Sequence, residues 1–230
     1  MVSPVIVALD VATSEEAVAL GSKVHQHVGG FKVGLRLLYR SGPGVIGAVA
    51  ALGRPVFADA KLHDIPSQVR AAAEALGDAG ARWVTAHAGG GVPMLQAATE
   101  GLAEGSDGAA GVLAVTVLTS LGPQDLSEAG IDVTPPELVR SYAAIAIRAG
   151  VEGVVCSPRE LGVVAGAAPD LVRVTPGIRV DGGGDDQVRT ASPEEAMAAG
   201  ADWIVVGRPI VLADDPARAA ARLAARLETA

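Results

Sequence analysis

Residues 57–65 read FADAKLHDI, placing a carboxylate at Asp59, an ammonium at Lys61 and a second carboxylate at Asp64. Side chains two apart on a strand share a face, so Asp59 and Lys61 project together, with Phe57 further down that face. Lys32, in the short apolar run GFKVG, brings a second ammonium to the end of a neighbouring strand. An isolated D-x-K pair reads as a structural ion pair at a strand end. Four alternating charges gathered in one place read differently, because they are expensive to bury and rarely retained for stability alone. A fixed ammonium in such a site can stabilise negative charge where it develops.

A second constellation lies further along the chain. TPGIR at residues 175–179 leads into the Gly-rich stretch VDGGGDDQ at 180–187, and VVGRP occupies 205–209. Glycines expose backbone N–H groups, and Arg179 and Arg208 can add charge-assisted hydrogen bonds, which together suit a phosphate dianion. The plainer alternative is a surface loop with two solvated arginines. His87 ends an apolar run and reads as a rim residue, while His25, His27 and His63 show no metal-ligand spacing with carboxylates or with Cys156. Cys156, inside GVVC, reads as a small buried hydrophobe.

These residues need a frame. Strand-like runs stand at 4–10 (PVIVALD), 30–34 (GFKVG), 55–62 (PVFADAKL), 83–87 (WVTAH), 111–118 (GVLAVTVL), 153–156 (GVVC), 171–175 (LVRVT) and 203–207 (WIVVG). Between most of them run Ala/Leu-rich helical patterns. Thr13, Thr134, Ser157 and Ser192 each begin an S/T-x-x-E capping box, three of them followed at once by proline, and Asp215-Pro216 opens a last helix in the same way. Strands alternating with helices imply parallel pairing with right-handed crossovers, and eight such units close into a single-domain (β/α)8 TIM barrel spanning residues 1–230. An open doubly wound sheet would place G-x-G-x-x-G after the first strand, where this chain has Asp10-Val11-Ala12-Thr13. In a barrel, the strands' C-terminal ends carry the chemistry. Asp10, Lys32, Asp59 with Lys61, His87, Thr119, Ser157, Arg179 and Arg208 close or follow the runs there, whereas Trp83 and Trp203 begin strands and read as packing at the barrel bottom.

Composition sets the outer limits. The chain has 230 residues, 50% hydrophobic and 19% charged, which describes a packed globular protein. A net charge of −8 argues against nucleic-acid and anionic-membrane surfaces, so any anionic ligand needs a local site. The single cysteine fits a reducing compartment, the N-terminal run is cut by Asp10, and the charge-free stretch 108–124 is too short and broken for a membrane span. A cytoplasmic protein is expected.

The motif residues resemble a known family. Asp59-Ala60-Lys61-Leu62-His63-Asp64-Ile65-Pro66 is similar to the D-x-K-x-x-D-I-P signature of orotidine 5′-phosphate decarboxylases, bacterial branch. VALD at Asp10, FKVG at Lys32, VTVLTS at 115–120, TPGIR, Asp186-Gln187 and VVGRPI follow in the family's order, nearly end to end. The resemblance implies a carboxy-lyase that converts orotidine 5′-monophosphate (OMP) to UMP and CO2 without cofactor or metal, the last step of de novo pyrimidine synthesis. It implies that Lys61 is the general acid protonating C6, with Asp59 beside the substrate carboxylate. Lys32, Asp59, Lys61 and Asp64 would form one network, with Asp64 donated by the other subunit of a homodimer. Asp10 and Lys32 would hold ribose hydroxyls, Thr119 the pyrimidine edge, and Ile65 would join the substrate contacts. Arg179, Gln187, Gly207 and Arg208 would bind the phosphate under a loop closing over 180–187.

The chain departs from the family in two places. Ser67-Gln68 follow Pro66 where the family continues D-I-P-x-T, and VDGGGDDQ is slightly shortened. Two alternatives stand beside the decarboxylase. One is the Mg²⁺-using 3-keto-gulonate-6-phosphate decarboxylase and hexulose-6-phosphate synthase group, which shares D-x-K-x-x-D but carries an acidic residue where Lys32 stands. The other is a non-catalytic nucleotide-binding barrel, for which phosphate binding alone would not require the charged cluster.

Overall fold

The computed structural model describes residues 3–180 and 190–228. Eight strands, β1 (Val5–Ala8), β2 (Gly30–Gly34), β3 (Val56–Leu62), β4 (Trp83–His87), β5 (Gly111–Val115), β6 (Gly153–Val155), β7 (Val172–Thr175) and β8 (Trp203–Val206), pair in parallel and close into a barrel in sequence order. The seam is β1 against β8, with Ile6 opposite Val205. Around it lie α1 (Ser14–Val24), α2 (Leu35–Ser41), α3 (Gly44–Ala50), α4 (Pro66–Asp78), α5 (Gly91–Gly105), α6 (Pro123–Glu128), α7 (Pro135–Ala149), α8 (Leu161–Ala167), α9 (Pro193–Ala198), α10 (Arg208–Val211) and α11 (Pro216–Glu228). No helix among the described residues is long and apolar enough to cross a membrane.

Strand alternation divides the apolar residues into two cores. Ile6, Ala8, Phe57, Trp83, Leu113, Val174 and Val205 fill the barrel interior, while Val7, Phe31, Val33, Ala58, Val84 and Val112 face outward against the helices. α4 and α5 cross closely because α5 carries glycine at the contact; a Cβ on Gly101 would lie 2.1 Å from the Arg70 carbonyl oxygen.

The helix starts that carry a capping motif follow its chemistry with one exception. Thr13 accepts from the Glu16 amide at 3.2 Å, Ser192 from the Glu195 amide at 3.1 Å, and the Glu137 carboxylate accepts from the Thr134 amide at 2.9 Å. The Arg218 amide donates to Asp215 at 3.0 Å, as expected for the last helix. Ser157 differs: its hydroxyl accepts from the Arg159 amide two residues on, at 3.2 Å, which starts a 3-10 turn over Pro158–Glu160, and α8 begins only at Leu161.

The barrel bottom is closed as the tryptophans suggested. Trp83 and Trp203 meet edge to face at 5.4 Å between centroids. Arg82 and Glu152 form two 2.7 Å hydrogen bonds, and the Trp83 indole N–H adds a third to Glu152 at 2.9 Å. Burial works against the Glu152 charge, but these donors outweigh it and hold the carboxyl below its ordinary range.

Candidate active site

A cavity of about 620 Å³ opens at the strands' C-terminal ends. That size suits a small-molecule ligand. Asp10, Lys32, Asp59, Lys61, Thr119, Arg179, Gly207 and Arg208 all line it. The two constellations read from the sequence therefore share one cavity. Gln187 and most of the loop at 180–187 lie outside the described residues. Asp64 and Ile65 are exposed and do not line this cavity.

The charged wall is built from three adjacent strands. Lys32 points inward because β2 alternates Gly30, Lys32 and Gly34 inside with Phe31 and Val33 outside. Its ammonium lies 3.5 Å from Asp10 and 3.5 Å from Asp59. Room for that ammonium exists because residue 34 is glycine; a Cβ there would stand 2.7 Å from Lys32 Nζ. Lys61 Nζ donates to Asp59 Oδ2 at 2.6 Å.

Simple alternation does not account for the Lys61 position. Ala58 pairs with Val84 and Leu62 with Ala86, so four residues of β3 advance against two of β4. Within this bulge Lys61 takes a left-handed backbone, φ +50°. Bulges of this kind re-aim side chains and concentrate near functional sites. The displaced Lys61 amide donates to Thr85 Oγ1 at 2.9 Å, and that hydroxyl donates to Asp59 Oδ1 at 3.0 Å. Thr85 passes unnoticed when the sequence is read alone. The signal was available: in WVTAH it shares the inward face with Trp83 and His87, a polar residue in mid-strand.

The electrostatics follow from these contacts. Burial pushes Asp59 toward its neutral form, but Lys32, Lys61 and the hydrogen bonds from Lys61 and Thr85 outweigh it and hold the carboxyl below its ordinary value. Half-buried His87 stacks near His63, ring centroids 5.3 Å apart. Burial first, then repulsion from His63 and Lys61, hold its imidazole below the usual value. Cys156 is buried, as expected, and also contributes to the cavity wall. Among the described residues no group of three or more His, Cys, Asp or Glu is placed to hold a metal ion.

Arg179 is half-buried and Arg208 exposed, and both line the cavity with Gly177 and Gly207. The arrangement thus offers a carboxylate held between two ammonium groups, and two guanidinium groups beside glycine backbone.

Comparison with known proteins agrees with this geometry. The family model described as Orotidine 5′-phosphate decarboxylase / HUMPS family matches residues 3–223. An orotidine 5′-phosphate decarboxylase from Thermobifida fusca (strain YX) is 44% identical over 231 residues, covering 99% of this chain and 97% of the relative. One from Anaeromyxobacter sp. (strain K) is 46% identical over 222 residues, 96% of each chain. The crystal structure of orotidine 5′-phosphate decarboxylase from Lactobacillus acidophilus superposes with a TM-score of 0.85 at 38% identity, covering 96% of this chain and 97% of that one.

Proposed function

The chain belongs to the orotidine 5′-phosphate decarboxylase / HUMPS family, and from that membership we propose that it converts OMP to UMP and CO2. The observation that carries this reading is the Asp59 carboxylate held between the Lys61 and Lys32 ammonium groups on the cavity wall. The C6–carboxylate bond breaks and leaves its electron pair on C6 as a vinylic carbanion with little resonance relief. Lys61 Nζ stabilises that charge as it develops, gives its proton to C6, and regains one from water. Asp59 holds the ammonium at hydrogen-bond distance and faces the departing carboxylate.

Asp10 and Lys32 are read as holding the ribose hydroxyls, and Thr119 the pyrimidine edge. Arg179 and Arg208, with Gly207 and Gln187, are read as the phosphate site, so that binding remote from C6 organises the charged wall. The reaction is read as cofactor-free. A magnesium-dependent sugar-phosphate decarboxylase is disfavoured by Lys32, whose ammonium would repel a cation beside Asp59.

The whole chain, 1–230, is read as one catalytic domain working in the cytoplasm, and as one half of a homodimer. Asp64 and Ile65 lie exposed beyond β3 and outside their own cavity, as residues lent to a partner's site would. Incubating purified protein with OMP in EDTA tests the proposal. UMP and CO2 in equal amounts are expected, no product would overturn the reading, and a strict need for Mg²⁺ would favour the sugar-phosphate branch.

A further inference from the structure

Thr85 is completely buried in the middle of β4, and its hydroxyl has two partners. It has one proton, which goes to Asp59 Oδ1, and its lone pair receives the Lys61 amide. Asp59 Oδ2 is then left for the two ammonium groups, Lys61 at 2.6 Å and Lys32 at 3.5 Å. The same hydroxyl therefore orients the carboxylate and anchors the backbone that carries its ammonium partner.

That anchor matters because Lys61 has a positive φ, a conformation disfavoured for residues with a Cβ and kept only where the surroundings fix it. The bulge removes this segment from the regular β3–β4 register, and the Thr85 hydroxyl supplies an acceptor for its amide. Threonine is well matched to this position, because a β-branched side chain on a strand is stiff at χ1 and its oxygen is held in place.

We propose that Thr85 is a positioning residue for the reaction, its hydroxyl tying the Asp59 carboxylate to the Lys61 backbone and so setting the geometry at which the ammonium is presented to the substrate. The inference rests on the decarboxylase reading above. A purely structural threonine would affect thermal stability alone. A positioning threonine changes the catalytic step and the Asp59 titration while leaving nucleotide affinity intact.

Thr85→Val keeps the shape and removes the oxygen, while Thr85→Ser keeps the oxygen and removes a methyl group. With OMP as substrate, Thr85→Val is expected to lower kcat tenfold or more, with the Kd for UMP within threefold of wild type. The acidic limb of its kcat/KM profile should move to higher pH, because a carboxylate that loses a donor is protonated more easily. Thr85→Ser should stay within threefold of wild type in kcat, with the limb unmoved. Should Thr85→Val not fold, Thr85→Ala serves in its place with the same expectations. A hydroxyl-free variant with kcat and acidic limb like wild type overturns the inference, whatever its Tm, and so does a Ser variant as impaired as the hydroxyl-free one. A wild-type protein that makes no UMP would instead sink the decarboxylase reading itself.

Discussion

Lys61 reaches Asp59 at 2.6 Å only two residues along the same strand, and it does so through a left-handed backbone within a bulge. Strain is thus invested in placing one ammonium. Lys61→Ala removes an interaction that belongs mainly to the transition state, so turnover should vanish while UMP binding stays within an order of magnitude of wild type. Single-turnover assays and calorimetry with UMP check the two halves separately; near-normal turnover would take Lys61 out of its role.

Gly34 gives a prediction about space. Its φ of −90° is open to any residue, yet a Cβ would stand 2.7 Å from Lys32 Nζ and 3.2 Å from Asp10 Oδ1. A flexible lysine end can move aside, so Gly34→Ala should fold with little change in Tm. The displaced ammonium should nonetheless lower kcat/KM by about tenfold, the effect of losing about 1.4 kcal/mol. A fully active Gly34→Ala enzyme would show that Lys32 need not stand where it does.

Arg208→Ala should reduce kcat/KM by about 1.5–3 kcal/mol, the worth of a charge-assisted hydrogen bond. The nucleoside lacking phosphate should be turned over equally poorly by both proteins. Equal sensitivity to the substitution with and without phosphate would exclude Arg208 from that contact.

Asp64, exposed and absent from its own cavity wall, leads to a complementation test. If it serves the partner's site, mixed dimers of Lys61→Ala and Asp64→Ala chains contain one intact site and one doubly altered site. Random exchange makes about half the dimers mixed, so roughly a quarter of wild-type activity should return. No recovery after verified subunit exchange would assign Asp64 to its own chain.

His87 predicts an acid-side loss of stability. Its folded imidazole is held low by burial, His63 and Lys61, so on acidification the unfolded chain takes up this proton first, near its ordinary pKa of about 6.5. Stability is therefore full above that pH and declines as pH falls from about 6.5 toward the lower folded value. Thermal melts between pH 7.5 and 5.5 should show the decline, and His87→Gln should flatten it. An unchanged slope in the variant would assign the effect elsewhere.

Much of this architecture is legible in the chain because it repeats local physics. β2 and β4 occupy the spans that their apolar runs mark, and Lys32 and Asp59 reach the cavity from within β2 and β3 and Arg208 from the start of α10, just past β8. β5 stops at Val115, three residues before its apolar run does, and beyond it Thr116 gives both its amide and its hydroxyl to the Val155 carbonyl. The bulge in β3 is not legible, because alternation gives the face of each residue but not the pace of one strand against another. Thr85 was hidden for a related reason: its value lies in the oxygen of Asp59 and the amide of Lys61, which only the register of two strands brings together.

The seam between β1 and β8 has a consequence for how the chain comes into being. Ile6 waits for Val205, so a nascent chain leaving the ribosome exposes the β8-facing edge of Val5–Ala8 until Trp203–Val206 has been made. During that interval the first strand and the most recently emerged one both present unpaired backbone and apolar side chains, the conditions under which chains adhere to one another. Contacts so distant in sequence also make closure slow. A polypeptide ending before Trp203 would keep both edges open, and chaperone dependence and aggregation should therefore fall off once Trp203–Val206 has emerged and paired.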